Sequence, residues 1–226
     1  MSYYIRPMTR RDLDPVTEID REAFPTQWPP ADYSYEFKNN MAHYVVACDS
    51  GVTVETRTES EQGTFSRWLG KLFGRQSTAS ETITSSQYIV GFTGFWVMAG
   101  EAHITSIAVR EDYRRKGIGE LLMIAVFELA LRLQADVVTL EVRVSNVNAQ
   151  NLYIKYGFKA VGERRRYYLD RGPSGDTRED ALIMTTDRIG TPEFQEHFDG
   201  LKKAHELRWH YDYEGINDLE ASSTTK

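Results

Sequence analysis

The chain has 226 residues, 41% of them hydrophobic, enough to bury one sizeable core in a soluble domain. Its net charge of −6, from 27 basic and 33 acidic residues, argues against broad nucleic-acid binding. The single cysteine, Cys48, excludes an internal disulfide and fits a reducing cytosol, with buried packing in the strand-like run Tyr44–Cys48 as its expected role. No stretch reads as a signal peptide and no apolar run reaches about 18 residues, so a cytoplasmic protein without a transmembrane helix is expected. The five histidines show no zinc spacing supported by other ligands, and no metal is expected.

Tyr3–Arg6 reads as a first strand. Asp14 and Pro15 look like an N-cap and first helical residue, opening a helix to about Glu22. The prolines at 25, 29 and 30 force Phe24–Pro30 out of helix, and a second helix is expected over Ala31–Asn40. Strands follow at about 43–48 and 87–98. Between them, residues 50–86 have Ser/Thr/Glu-rich flanks that read as flexible. In the centre, Phe65, Trp68, Leu69, Leu72 and Phe73 follow helical spacing, with Arg67, Lys71 and Arg75 opposite. That helix over 65–75 either packs on the parent domain or docks on a membrane surface or an acidic partner. Gly70 and Gly74 each weaken it by roughly 1 kcal/mol relative to alanine.

Further along, a strand is expected over 102–110, then a long helix, then a strand over 136–144. A helix over 146–156 is expected to be capped by Ser145 and stopped at Gly157. Strands near 158–169 and 179–186 and a helical segment near 192–208 complete the order, and the polar tail beyond Gly215 reads as disordered. The class is mixed α/β without internal repeats.

The most informative stretch is Arg114–Gly119, between the strand His103–Val109 and the long helix. That helix carries an apolar stripe of Ile118, Leu121, Leu122, Ala125, Val126, Leu129, Ala130 and Leu133. Unpaired N–H groups and the positive dipole end at a helix start attract phosphate oxygens. Gly117 and Gly119 carry no Cβ, so a diphosphate can approach closely, while Arg114, Arg115 and Lys116 add cationic donors. Glu120 and Leu121 stand where a P-loop needs Lys-Ser/Thr, and the third glycine of a dinucleotide fingerprint is missing.

A second constellation lies on the strand Val137–Val144. Period two puts Glu141 on one face with Thr139 and Arg143. On the following helix Asn146, Gln150 and Tyr153 share a face. Singly, Glu141 reads as an exposed partner of Arg143, Asn146 as a capping group and Tyr153 as a half-buried aromatic. Jointly, beside a phosphate loop, they read as a site. The run Arg164–Arg166 reads first as a solvated strand end and second as a contact to an acidic or RNA-rich partner surface.

Arg114-x-x-Gly117-x-Gly119 resembles the acyl-CoA-binding motif of the GCN5-related N-acetyltransferases (GNAT). Leu140–Asn146, Ala149, Leu152-Tyr153, Gly157-Phe158, Arg165–Tyr168 and Glu179–Ala181 resemble the ribosomal-protein alanine N-acetyltransferases, the RimI group. Ile5–Thr9, Asp12–Asp14, Phe24-Pro25 and Trp28 resemble the same group. The likeness covers residues 3–49 and 87–187. It implies an acetyltransferase domain over 1–190, interrupted by 50–86, and a C-terminal extension over 191–226. It also implies a twisted mixed sheet with flanking helices, split into a V between the fourth and fifth strands, with acetyl-CoA in the opening. The main chain of Ile107, Ala108 and Val109 would pair with the pantetheine arm. Arg114, Arg115, Lys116, Gly117, Ile118, Gly119 and Glu120 would hold the diphosphate, and Asn146 would touch the arm.

By the same resemblance, Glu141 would take the amine's proton through water and Tyr153 would protonate the leaving thiolate. Phe24, Pro25 and Trp28 would form one wall of a peptide slot, with Tyr167 and Tyr168 opposite. The implied reaction is acetyl transfer to a protein N-terminal amine, first the alanine of a small-subunit ribosomal protein. A monomer or weak homodimer without direct nucleic-acid contact is expected. Two other readings stay open: a GNAT enzyme of lysine side chains or small amines, and a catalytically weak acyl-CoA-binding module working through partners.

Overall fold

The computed structural model describes residues 2–58 and 82–211, save 28, 30 and 174. The expected helix over 65–75, the tail beyond Gly215 and Trp28 lie outside the described residues. Among the described residues seven strands form one sheet, ordered β1-β2-β3-β4-β5-β7-β6. They are β1 (Tyr3–Pro7), β2 (Ala42–Thr58), β3 (Thr82–Met98), β4 (Glu101–Val109), β5 (Val137–Arg143), β6 (Phe158–Asp170) and β7 (Thr177–Thr186). Neighbours are antiparallel except β4 and β5, which are parallel. The helices are α1 (Leu13–Ala23), α2 (Tyr33–Glu36), α3 (Ile118–Arg132), α4 (Val147–Lys155) and α5 (Pro192–Trp209).

The parallel pair is short. Its register runs from Glu101 opposite Val137 to Ile104 opposite Leu140 and stops. At that point β4 bulges: Phe95 of β3 faces Ile104 and Gly94 faces Ser106, so Thr105 is the extra residue. A bulge bends its strand and increases the local twist. Beyond Ile104, β4 therefore turns away from β5, and Ser106–Val109 keep a ladder only with β3. This is the V between the fourth and fifth strands that the resemblance implies.

Several local readings are corrected. A 3-10 turn over Arg10–Asp12 precedes α1, so Asp12 rather than Asp14 is the N-cap. The Asp12 carboxylate accepts from the Thr9 amide at 2.7 Å and pairs with Arg6 at 2.7 and 2.8 Å, which fixes the earlier start. Pro15 then sits third in the helix, where a missing N–H costs no hydrogen bond. The second helix shrinks to Tyr33–Glu36, with Asp32 capping its start. Asn146, not Ser145, caps α4, while Gly157 ends it with a φ of +87° as expected. The flanks of the insertion are a paired ribbon, since β2 and β3 stay in register from Thr53 opposite Gln87 to Thr58 opposite Thr82. Their β-branched Thr, Val and Ile residues favour strand over coil.

Two cores cover the sheet. On one face α1 and α2 bury Val16, Ile19 and Tyr33 against Val46, Cys48, Ile89, Phe92 and Ala108. On the other lies α3, whose stripe predicts a single buried face. Met123, Ile124 and Phe127 fall off that stripe and are fully buried as well. The reason is a further layer: the Phe127 ring lies 5.3 Å from both Phe194 and Phe198 of α5. No described helix is long and apolar enough to cross a membrane.

Phe127 also meets Tyr156 and Phe158, so its ring joins α3, α4, α5 and β6. Phe127→Ala is expected to cost about 3–5 kcal/mol, the usual loss for an aromatic deleted from a close-packed core. Urea unfolding followed by circular dichroism measures it, and a loss under 1 kcal/mol, roughly a surface value, would show the layer to be loosely packed.

Candidate active site

The loop between β4 and α3 is held at both ends. Arg110, buried, donates from Nε to the Ile89 carbonyl at 3.0 Å and reaches Glu18 at 2.6 Å, tying the end of β4 to α1. Glu22 accepts the Glu111 amide on the same side. Arg114 Nε donates back to the Val109 carbonyl at 3.3 Å. Arg115 and Gly117 then take left-handed φ values of +63° and +79°, and Gly117 becomes the N-cap of α3. Successive N–H groups in such a turn form an anion-binding concavity.

The first intrahelical bond runs from the Leu121 amide to the Gly117 carbonyl, so the amides of Ile118, Gly119 and Glu120 lack helical partners. A Cβ on Gly119 would meet nothing nearer than Leu152 Cδ2 at 3.6 Å, so its missing side chain leaves open approach rather than filling a packing need. These features fit a diphosphate. The Glu120 carboxylate turns to Lys155, leaving its amide to the loop, and the Lys116 ammonium rests 4.6 Å from the Tyr113 ring centroid.

Glu141 is not the exposed partner of Arg143. Its side chain is 7% exposed, and its two oxygens accept from His103 Nε2 and Arg164 Nε, each at 2.9 Å. The His103 hydrogen bond is the largest cause holding Glu141 below the usual carboxylate range. The same contact raises His103, which also has Glu101 at 3.7 Å. Arg143 instead forks onto Asp170 with two bonds of 2.8 Å and reaches Glu179 at 3.1 Å.

Tyr153, on α4, is buried, and burial raises its pKa, so its phenol stays protonated. Tyr168 lies against the strand that carries Glu141. Its hydroxyl donates to the Glu141 carbonyl at 3.0 Å, and burial raises its pKa. Asn146 caps α4 by accepting the Ala149 amide at 3.2 Å, which engages its carbonyl oxygen only. The Gln150 amide group donates to the carbonyls of Arg143 and Val144, pinning the start of α4 to the end of β5.

The two expected walls meet across Asp170. It bridges to Gln27, accepts from the Thr26 hydroxyl at 2.8 Å and holds Arg143. Phe24 is half-buried against the α1–α2 core and Pro25 is exposed. Tyr167, half-exposed, packs edge-on against Tyr168 with centroids 5.0 Å apart.

Sequence reasoning missed three groups. His103, on β4, and Arg164, on β6, are far from Glu141 in the chain, and no local spacing announces a partner from another strand. The third is the end of α5, whose His205 donates from Nε2 to the Gly117 carbonyl at 2.9 Å. In the sequence the histidines carry a metal-spacing reading only, which gives no signal for this contact.

His103 and Glu141 make stability depend on pH in separate windows. The His103 value is raised above 6.5, so its contribution is full below 6.5 and lost as pH rises through the raised value. The Glu141 value is lowered below 4.5, so its contribution holds above 4.5 and is lost as pH falls further. Burial lowers His205, whose penalty appears below 6.5 and leaves the upper window to His103. His103→Gln is therefore expected to remove the stability loss that sets in as pH rises above 6.5, measured by urea midpoints at increasing pH.

The model of the Acetyltransferase (GNAT) family matches residues 13–158, from the first residue of α1 to the first of β6. A Bacillus subtilis (strain 168) protein named for alanine N-acetylation of ribosomal protein bS18 is 32% identical over 181 residues, 80% of this chain and 92% of that one. An N-alpha-acetyltransferase of Sulfurisphaera tokodaii is 32% identical over 183 residues, 80% of this chain and 91% of that one. The crystal structure of the Escherichia coli ribosomal-protein-S18-alanine N-acetyltransferase has a TM-score of 0.55 at 23% identity, covering 84% of this chain and 97% of that one. With its parted β4 and β5, its glycine turn at the start of α3 and a family match across both, the chain belongs to the GNAT family of acetyltransferases.

Proposed function

We propose that the chain transfers acetyl from acetyl-CoA to the N-terminal α-amine of a protein, with the alanine of a small-subunit ribosomal protein as the preferred acceptor. The observation that carries this reading is the placement of Glu141. Its side chain, 7% exposed, sits on β5 just past the point where β4 departs, and its carbonyl accepts the Tyr168 hydroxyl.

The unpaired edge of β4 over Ile107–Val109 pairs with the pantetheine arm as an added strand would. The amides of Ile118, Gly119 and Glu120, with Arg114, Arg115 and Lys116, hold the diphosphate. The free amide nitrogen of Asn146 contacts the arm. A thioester bound there supplies an acetyl group on a good leaving group.

An α-amine has a pKa of about 7.7–8.0, so roughly a tenth or more is neutral near pH 7, against about 0.04% for a lysine. A carboxylate held ionised by the His103 hydrogen bond and the Arg164 guanidinium is a weak base, and it suffices for such an amine. The amine nitrogen bonds to the acetyl carbon as the C–S bond breaks. Glu141 accepts the amine's proton through water, and Tyr153 gives its own to the departing sulfur. Phe24, Pro25 and Trp28 line the slot on one side, Tyr167 and Tyr168 on the other.

Glu141→Gln and Tyr153→Phe are each expected to lower kcat by about 10² or more while CoA binding is kept. Stopped-assay kinetics with a good peptide and calorimetric titration of CoA check the pair. Parent-like turnover in both variants would remove the assigned roles.

Peptides differing in their first residue, with N-blocked lysine-bearing controls, test the acceptor class. Mass spectrometry is expected to place acetyl on the α-amine, alanine-first peptides reacting best. Acetyl found mainly on lysines would favour a lysine acetyltransferase.

A further inference from the structure

We propose that His205 and Tyr211 are positioning residues of the acetyl-donor site, aiming the amides of the phosphate loop outward. This inference rests on the diphosphate reading under Proposed function. Two contacts define it. His205 Nε2 donates to the Gly117 carbonyl at 2.9 Å, and the Tyr211 hydroxyl donates to the Lys116 carbonyl. Both carbonyls belong to the turn that starts α3.

A trans peptide points its C=O and the following N–H in opposite directions. With the Lys116 carbonyl on Tyr211, the Gly117 amide points away from the C-terminal segment. With the Gly117 carbonyl on His205, the Ile118 amide points away as well. Two consecutive amides are thus turned to the open side of the loop, where a diphosphate would lie. The Gly117 carbonyl also accepts the Leu121 amide, so His205 is its second donor, whereas without Tyr211 the left-handed turn leaves the Lys116–Gly117 plane freer to rotate, because glycine tolerates many conformations.

The rest of the segment is built to hold these donors in place. The αL conformation of His210, with φ of +53°, turns the chain back after α5 so that Tyr211 can reach the loop. Tyr211 packs edge-on against Tyr3 with centroids 5.0 Å apart and stacks with Trp209 at 5.9 Å. Trp209 lies against Gly117 itself: a Cβ there would sit 2.5 Å from the indole Nε1. His205 is 2% exposed and burial lowers its pKa, which keeps a neutral ring with one fixed donor.

The test compares two acetyl donors, acetyl-CoA and acetyl-pantetheine, which lacks the diphosphate. The parent is expected to prefer acetyl-CoA strongly in kcat/KM. Tyr211→Phe, which keeps the ring, and His205→Leu are each expected to shrink that preference about tenfold, the usual effect of losing one hydrogen bond to a charged group. The change should appear in KM for acetyl-CoA with kcat retained. His205→Gln, whose amide can replace Nε2–H, should restore most of the preference. Circular dichroism at the assay temperature confirms folding of each variant, and Tyr211→Phe decides the matter if His205→Leu does not fold. An unchanged preference in Tyr211→Phe, or His205→Gln as impaired as His205→Leu, would overturn the positioning role. A parent without preference for acetyl-CoA would instead overturn the diphosphate reading, and this inference with it.

Discussion

Everything in the site depends on one irregularity in the sheet, the extra residue Thr105 in β4. A regular parallel pair would continue past Ile104 and use up the main-chain groups of Thr105–Ile107 on Glu141–Arg143 of β5. The bulge withholds them. It also leaves β5 to carry Glu141 into the gap, since the side chains of β5 keep alternating while the neighbouring strand departs. A single backbone defect therefore sets both the unpaired edge and the space before the carboxylate.

The electrostatics of the gap follow from burial. A carboxylate 7% exposed needs compensation, and Glu141 has it from His103 and Arg164. The consequence is a site tuned for charge placement rather than strong basicity. Such a site suits the partly neutral acceptor proposed above. The outer frame uses the same device: Arg143, with the Tyr168 ring 4.3 Å from its guanidinium carbon, holds Asp170 and Glu179 and so fixes the β6–β7 hairpin over the strand end.

The sequence made the local chemistry legible and the long-range pairing opaque. Alternation on β5 and the spacing of Asn146, Gln150 and Tyr153 singled out the candidate groups on β5 and the helix that follows it. The partners of Glu141 come from β4 and β6, and strand register across a sheet leaves no local trace. Arg143 was assigned to Glu141 because the two share a face, yet a strand-end arginine is reached more easily by a hairpin folding over it. The 50–58 flank read as coil because Ser and Thr are polar, whereas paired strands favour Thr for its branched Cβ. The stripe on α3 showed one face only, because the coverage of Phe127 is written some 70 residues later, in Phe194 and Phe198.

The position of α5 also bears on how the chain folds. The bonds from His205 to Gly117 and from Tyr211 to Lys116 span 88 and 95 residues of sequence. Contacts of such high contact order form late, because the entropy of closing a long loop must be met before they can contribute. The residues of the glycine turn are contiguous, and its helix can nucleate early. Its final backbone orientation nonetheless waits for the last described residues of the chain, so the turn that is simplest to find in the sequence is among the last parts of the fold to be completed.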